Sequence, residues 1–180
     1  MRGAPDPKVL RLLIAIVPLA TVDTAAVESL LDRAFGADRR ERTAYKVRGK
    51  GTPIGELSFA ALDEGELVGS IQCWPVALAR DDGRAYPLVM VGPVAVVPER
   101  QRDGIGRRLM TQALAAADRC DEALMLIGDP EYYGRFFGFT AERTGGWRLP
   151  GPVESRRLLA RGSDVPDVTG TLGPPITVPA

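Results

Sequence analysis

Residues Val91 to Met110 read VGPVAVVPERQRDGIGRRLM. An apolar stretch gives way to a charged loop, then to two glycines two apart (Gly104 and Gly106), then to helical spacing. Four arginines, Arg100, Arg102, Arg107 and Arg108, gather where this strand hands over to a helix. The first turn of a helix presents backbone N–H groups with no intrahelical partner, and the aligned peptide dipoles add roughly half a positive charge there. Glycines let a bulky anion approach that backbone, because no Cβ stands in the way. Arg102 and Arg107 add full charges beside it. The chemistry indicated is a cradle for a phosphate or pyrophosphate. A glycine turn followed by a solvated arginine face is the competing reading.

Two common anion motifs do not fit. In RGKGTPIG (Arg48 to Gly55), Lys50 is followed by Gly51, where a Walker loop needs Ser or Thr. GIGRRL begins like a dinucleotide fingerprint, but its third glycine position holds Leu109. Six residues, Pro98 to Asp103, also separate the strand from Gly104, where that motif turns at once.

Composition narrows the chemistry further. The chain has 180 residues, enough for one domain with a core of its own. Twenty-three basic and 23 acidic side chains cancel, so no global field steers it toward nucleic acid or an anionic membrane. It contains no histidine, which removes Ser-His-Asp triads, Cys-His pairs and most zinc sites. Cys73 and Cys120 make no disulfide framework and have no metal-ligand spacing.

The elements that must position the cradle follow from periodicity. RLLIAIVPL reads as a strand, and a helix capped by Thr21 or Asp23 follows, with Val27, Leu30, Leu31 and Phe35 at helical spacing. The same region imitates a secretory signal cleaved near Ala26, yet cleavage would strip that helix of its entry strand; the strand reading is preferred. DRRERTAYKVRGKG (Asp38 to Gly51) reads as a second helix and a loop. Its basic run, Arg39 to Lys50, is expected to be a solvated face, with a ligand phosphate or an acidic partner as the alternative. LSFAALDEGELVGSIQCWPVAL gives two strands joined at Asp63-Glu64-Gly65, and a further strand follows the turn Asp81 to Gly83. From Gly104 to about Arg119, Ile105, Leu109, Met110, Ala113, Leu114 and Ala117 share one helix face. EALMLIGD is a short strand, and PEYYGRFFGF a short helix entered through Pro130 and ended at Gly138. Residues 1–9 and the Gly/Pro-rich stretch 162–180 are expected to be flexible or draped. The whole reads as one α+β domain over residues 1–180, with a mixed sheet.

With these elements placed, VAVVPERQRDGIGRRLM resembles the acetyl-CoA-binding signature of the GNAT superfamily of N-acetyltransferases, Q/R-x-x-G-x-G/A. Gln101, Gly104 and Gly106 stand at its defining positions. IGDPEYYGRFFGF (Ile127 to Phe139) is similar to the family's late strand-helix segment, and the run onward resembles a bacterial subgroup of small predicted acetyltransferases. The resemblance covers about residues 10 to 160. It implies the order strand, helix, helix, three strands, signature strand, helix, strand, helix, strand. It also implies a mostly antiparallel sheet of six to seven strands, flanked by helices, with splayed central strands. Gly92-Pro93 inside the signature strand suits such a splay, since Pro within strands is confined to edges and bulges.

The resemblance further implies acetyl-CoA as cosubstrate, no metal, and acetyl transfer to a small-molecule or protein amine. Val94, Ala95 and Val96 would hold the pantetheine. Gln101, Arg102, Asp103, Gly104, Ile105, Gly106 and Arg107 would hold the pyrophosphate through their backbone. A backbone N–H at Val96 is the candidate for the oxyanion. With no histidine, the base is a carboxylate or a water held by one, and Glu56, Glu66 and Glu99 all remain open. The acid for the leaving thiolate is expected to be a tyrosine of the late helix, where Tyr132 and Tyr133 stand; Tyr133 is chosen as nearer the family position. Cys73 and Cys120 are read as structural cysteines in preference to an acyl-cysteine route. Trp74 and Trp147 fit a core or rim role as well as an acceptor pocket. A cytoplasmic monomer or homodimer, without nucleic-acid or membrane partners, is expected. A non-catalytic CoA-binding or sensor module of the same fold is the alternative, and a nucleotide-binding scaffold the weakest third.

Overall fold

The structure, a computed structural model, describes residue 6 and residues 13–176. Among these, eight strands form one sheet: β1 (Ile14–Pro18), β2 (Phe59–Asp63), β3 (Glu66–Ala79), β4 (Ala85–Val96), β5 (Leu124–Ile127), β6 (Trp147–Arg148), β7 (Leu158–Arg161) and β8 (Gly170–Gly173). Four α-helices lie wholly within the described residues: α1 (Thr24–Phe35), α2 (Thr43–Arg48), α3 (Ile105–Arg119) and α4 (Pro130–Phe137). The strand order is β1-β2-β3-β4-β5-β7, with β8 pairing β3 and β6. β1/β2, β2/β3, β3/β8 and β5/β7 are antiparallel; β4/β5 and β6/β8 are parallel. This is the expected mixed, mostly antiparallel α+β sheet, with one strand more than the upper expectation. Only two strands, β2 and β3, stand between the early helices and the signature strand, because Ala85–Val96 runs on without a break through Gly92-Pro93.

Chain contacts divide the molecule into two compact units. The first comprises Met1–Arg39, Gly55–Gln72 and Pro93–Ala116. In it Asp23 caps α1 by accepting a hydrogen bond from Ala25 N (3.3 Å), while Thr21 turns back to the Pro18 carbonyl. The β2–β3 hairpin turns through Glu64 (φ 49°) and Gly65 (φ 84°), two successive left-handed residues as a two-residue hairpin loop requires. The apolar stripe read for α3 is buried, Ile105 and Leu109 at 1% and 0% exposure, and it lies close on β3. A Cβ built on Gly69 would come within 2.9 Å of Ile105 Cγ2, so a glycine is needed where the helix meets the strand.

The second unit comprises Arg40–Ile54, Cys73–Gly92 and Ala117–Ala180. Its core gathers Val47, Trp74, Val76, Leu88, Met90, Met125, Trp147 and Leu172, among others. Trp74 and Trp147 are 7% and 6% exposed, which settles them as core residues. The stretch from 162 onward contains β8, paired with Ala77, Leu78 and Ala79 and with Trp147–Arg148. Of the segments expected to be flexible, residues 1–5, 7–9 and 177–180 lie outside the described residues.

The basic run departs from its expectation at two positions. Arg39 is fully buried, bonded to Asp32 (2.8 Å) and Glu28 of α1. Arg48 is 9% exposed, its guanidinium 3.9 Å from the Tyr45 ring centroid and 3.8 Å from that of Trp74. Carboxylates and π-faces satisfy these two cations in place of water. Arg40, Arg42, Lys46 and Lys50 are exposed, as a solvated face requires.

Candidate active site

The signature turn is built from one special backbone angle. Gly104 has φ 78°, a left-handed conformation that an L side chain enters only at a cost, and it delivers the chain into α3. Gly106 sits in the first turn of that helix. A Cβ there would lie 3.8 Å from both Val94 Cγ1 and Val96 Cγ2, in ordinary contact with the end of β4. The helix start, Gly106 and the strand end Val94–Val96 are thereby brought side by side, as the sequence implied. Gln101 is exposed, with its amide nitrogen 3.5 Å from the Val96 carbonyl.

The four arginines separate into two pairs. Arg100 bonds Asp63, at the end of β2, and Asp103 in its own loop. Arg108 donates to the Ile14 carbonyl of β1 (2.9 Å). Both contacts fasten the loop and helix to their surroundings. Arg102 and Arg107 are exposed on the loop and first turn. Apart from Asp103, the partners that distinguish the pairs are remote, Asp63 and Ile14 being 37 and 94 residues away.

Parallel pairing of β4 with β5 is confined to Val89↔Leu124 and Met90↔Met125, although both strands continue. Gly92, two residues on, has φ 116°. Its amide is turned to donate to the Cys73 thiol. The sequence placed Gly92-Pro93 within such an irregularity, but it had no signal that a cysteine receives the freed N–H.

That thiol is no nucleophile at neutral pH. Burial pushes its pKa from 9.0 up to about 12, and the Gly92 amide only partly offsets this. The unfolded chain ionises first, so this contribution to stability is complete below about pH 9 and is lost as pH rises through about 12. Three pH units at about 1.36 kcal/mol each amount to about 4 kcal/mol. Urea unfolding at a series of alkaline pH values should show a decline that Cys73→Ala flattens. A slope unchanged by the substitution would remove Cys73 as its source.

The late helix matches its reading residue for residue. Pro130 opens α4, and Gly138 closes it in the left-handed region (φ 73°). Tyr133 N donates to the Asp129 carbonyl (2.9 Å), and the Tyr133 carbonyl accepts from Phe139 N (3.3 Å). The Tyr132 and Tyr133 rings meet edge to face at 4.9 Å. Tyr132 also packs against Phe136, itself 41% exposed. Burial raises the Tyr133 pKa above the ordinary tyrosine value, helped by Tyr132 and Asp129 and opposed by Arg157. Its hydroxyl therefore stays protonated at any physiological pH.

Of the three candidate bases, Glu99 is bonded to Arg33 (2.7 Å) at the surface, and Glu66 stands opposite Asp63 beside the hairpin turn. Glu56 lies exposed in a single 3-10 turn, Gly55–Leu57. Among the described residues, no group of three or more His, Cys, Asp or Glu side chains could hold a metal ion, and no helix is long and apolar enough to cross a membrane.

Comparison with known proteins bears on this arrangement. Residues 16–141 match the family model for the acetyltransferase (GNAT) domain. An uncharacterized N-acetyltransferase of Streptomyces avermitilis is 27% identical over 173 residues, covering 84% of this chain; the chain spans 40% of that relative's length. Among solved structures, the GNAT family N-acetyltransferase YhbS of Escherichia coli, in complex with CoA, has a TM-score of 0.70 at 24% identity, covering 95% of this chain and 92% of that one. A GNAT family acetyltransferase of Brucella melitensis, in complex with acetyl-CoA, has a TM-score of 0.64 at 23% identity, covering 87% and 92%. At these identities the two structures speak for the fold, and the family match covers more than half of the chain. The chain belongs to the GNAT acetyltransferase family.

Proposed function

We propose that this protein is an acetyl-CoA-dependent N-acetyltransferase that moves the acetyl group directly from the thioester to a primary amine, working as a single domain over residues 1–180 in the cytoplasm. The observation that carries the reading is the signature turn: in a GNAT chain, Gly104 holds the left-handed angle and Gly106 stands against Val94 and Val96 at the helix start. Backbone amides from Gln101 to Arg107 receive the pyrophosphate there, with Arg102 and Arg107 adding charge. Val94, Ala95 and Val96 lie on β4 beyond its last β5 partner, Met90, so their backbone groups are not used in that ladder and are offered to the pantetheine amides.

In the transfer, a neutral amine attacks the thioester carbon, the new C–N bond forms, and the C–S bond breaks. The Val96 N–H meets the oxyanion that develops in between. An alkylamine with a pKa near ~10.4 is mostly protonated at neutral pH, so a carboxylate or a water it holds must take up its proton. Tyr133 supplies a proton to the departing thiolate. A hydroxyl kept protonated by burial suits that role, whereas it would make a poor base.

The test is transfer of labelled acetyl groups to a panel of primary amines (small amines, amino acids, aminoglycosides and peptide N-termini), beside melting curves with acetyl-CoA, NAD and ATP. Amine-dependent transfer, with thermal stabilisation by acetyl-CoA alone, is expected. Stabilisation without transfer or hydrolysis would leave a CoA-binding module, and stabilisation by NAD or ATP in its place would sink the reading.

A further inference from the structure

We propose that Gly128 is a positioning residue for acetyl transfer, and that its missing side chain is what seats the Tyr133 ring. The inference rests on the assignment of Tyr133 as proton donor. Gly128 follows β5 directly, and its φ lies outside the left-handed region, so the turn itself does not demand glycine. The ring does. A Cβ built on Gly128 would stand 2.4 Å from Tyr133 Cε2 and 2.7 Å from Cδ2, distances that real Cβ atoms do not show, with Leu126 Cδ1 at 3.2 Å on another side.

Neither party can retreat easily. Gly128 N donates to the Arg157 carbonyl (2.9 Å), fixing it to the segment that enters β7. The Tyr133 backbone is held by Asp129 and Phe139, and its ring is flanked by Tyr132 at 4.9 Å and Phe137 at 6.3 Å. A methyl group at 128 therefore turns the ring about χ1 and χ2 and carries the hydroxyl with it. An acid displaced by about an ångström loses much of its rate contribution while remaining chemically intact.

The experiment is a double-mutant cycle of Gly128→Ala with Tyr133→Phe. It follows release of the CoA thiol from acetyl-CoA, with the mixed amine panel as acceptor. Gly128→Ala should lower kcat about tenfold or more, with KM for acetyl-CoA held within about twofold. In the Tyr133→Phe background the same substitution should change kcat by less than about twofold, because the hydroxyl it displaces is already gone. Equal losses in both backgrounds would mean a general structural effect and overturn the proposal, as would full activity of Gly128→Ala alone. Wild-type turnover of Tyr133→Phe would instead remove the proton-donor assignment on which the inference stands. If Gly128→Ala does not fold, melting temperatures of Gly128→Ala and Gly128→Ala/Tyr133→Ala decide: shortening residue 133 should restore folding, and no recovery overturns the clash.

Discussion

Replacing Gly106 with tryptophan is expected to abolish the acetyl-CoA-dependent rise in melting temperature while leaving the free protein folded. In the wild type, a ligand at 100 times its dissociation constant stabilises by ~2.7 kcal/mol, a rise of about 5–10 °C for a chain of this size. Gly106 is half-buried in the first helical turn at an ordinary helical φ, so no backbone strain attends a side chain there. Its Cβ would rest at 3.8 Å on Val94 and Val96, which the fold accepts. The indole beyond that Cβ has to spread over the end of β4 and the start of α3, the surface assigned to pantetheine and pyrophosphate. Gly106→Ala is the control. It adds only the tolerated methyl, and the resemblance allows alanine at this position, so its thermal shift should match wild type. If Gly106→Trp binds acetyl-CoA as well as the parent does, the cradle has been put in the wrong place.

What the sequence revealed and what it hid divide along the distance over which each feature is determined. The turn at Glu64-Gly65, the Pro130 entry and the Gly138 exit are each set within a few residues and could be read directly, while the cap was narrowed to Thr21 or Asp23 and falls to Asp23. The buried stripe of α3 was legible because a period of 3.6 survives over fifteen residues. β8 was hidden. Four residues with a glycine at each end carry no period, and Gly170 is required by a remote neighbour, since a Cβ there would lie 2.8 Å from the Ala79 carbonyl. The buried Arg39 and Arg48 were hidden for the same reason: a run of basic residues looks solvated until Glu28, Asp32, Tyr45 and Trp74 are found around it.

The candidate site follows the same division. Gly104 and Gly106 were visible as a spaced pair because their role belongs to the backbone of one turn. The separate duties of Arg100 and Arg108 were not, because their partners come from other strands. Gly92 was legible as an irregularity, while the Cys73 thiol that accepts its amide comes from the neighbouring strand β3 and left no local trace.

Tyr133→Phe is expected to lower turnover by about 10²-fold or more, with folding and acetyl-CoA affinity nearly unchanged, provided proton donation to the thiolate limits the rate. The substitution keeps the ring that packs on Gly128 and Phe137 and deletes a single oxygen. Sequence counting left Tyr132 and Tyr133 both open, since one residue turns a helix by about 100° and the two cannot share a direction. Their surroundings now differ in a way that bears on the choice. Both rings are half-buried, but Tyr132 stacks with Phe136, which is exposed, while desolvation raises the Tyr133 pKa and keeps it in the donor form. That direction fixes the pH dependence. Activity that needs the protonated hydroxyl persists through the range where an ordinary tyrosine ionises, near ~10, and falls only above it. In kcat against pH, this alkaline limb should be present in the wild type and missing from the residual rate of Tyr133→Phe. Tyr132→Phe should leave both rate and profile close to wild type. The reverse pattern would transfer the acid to Tyr132, and full activity in both variants would take tyrosine out of the mechanism.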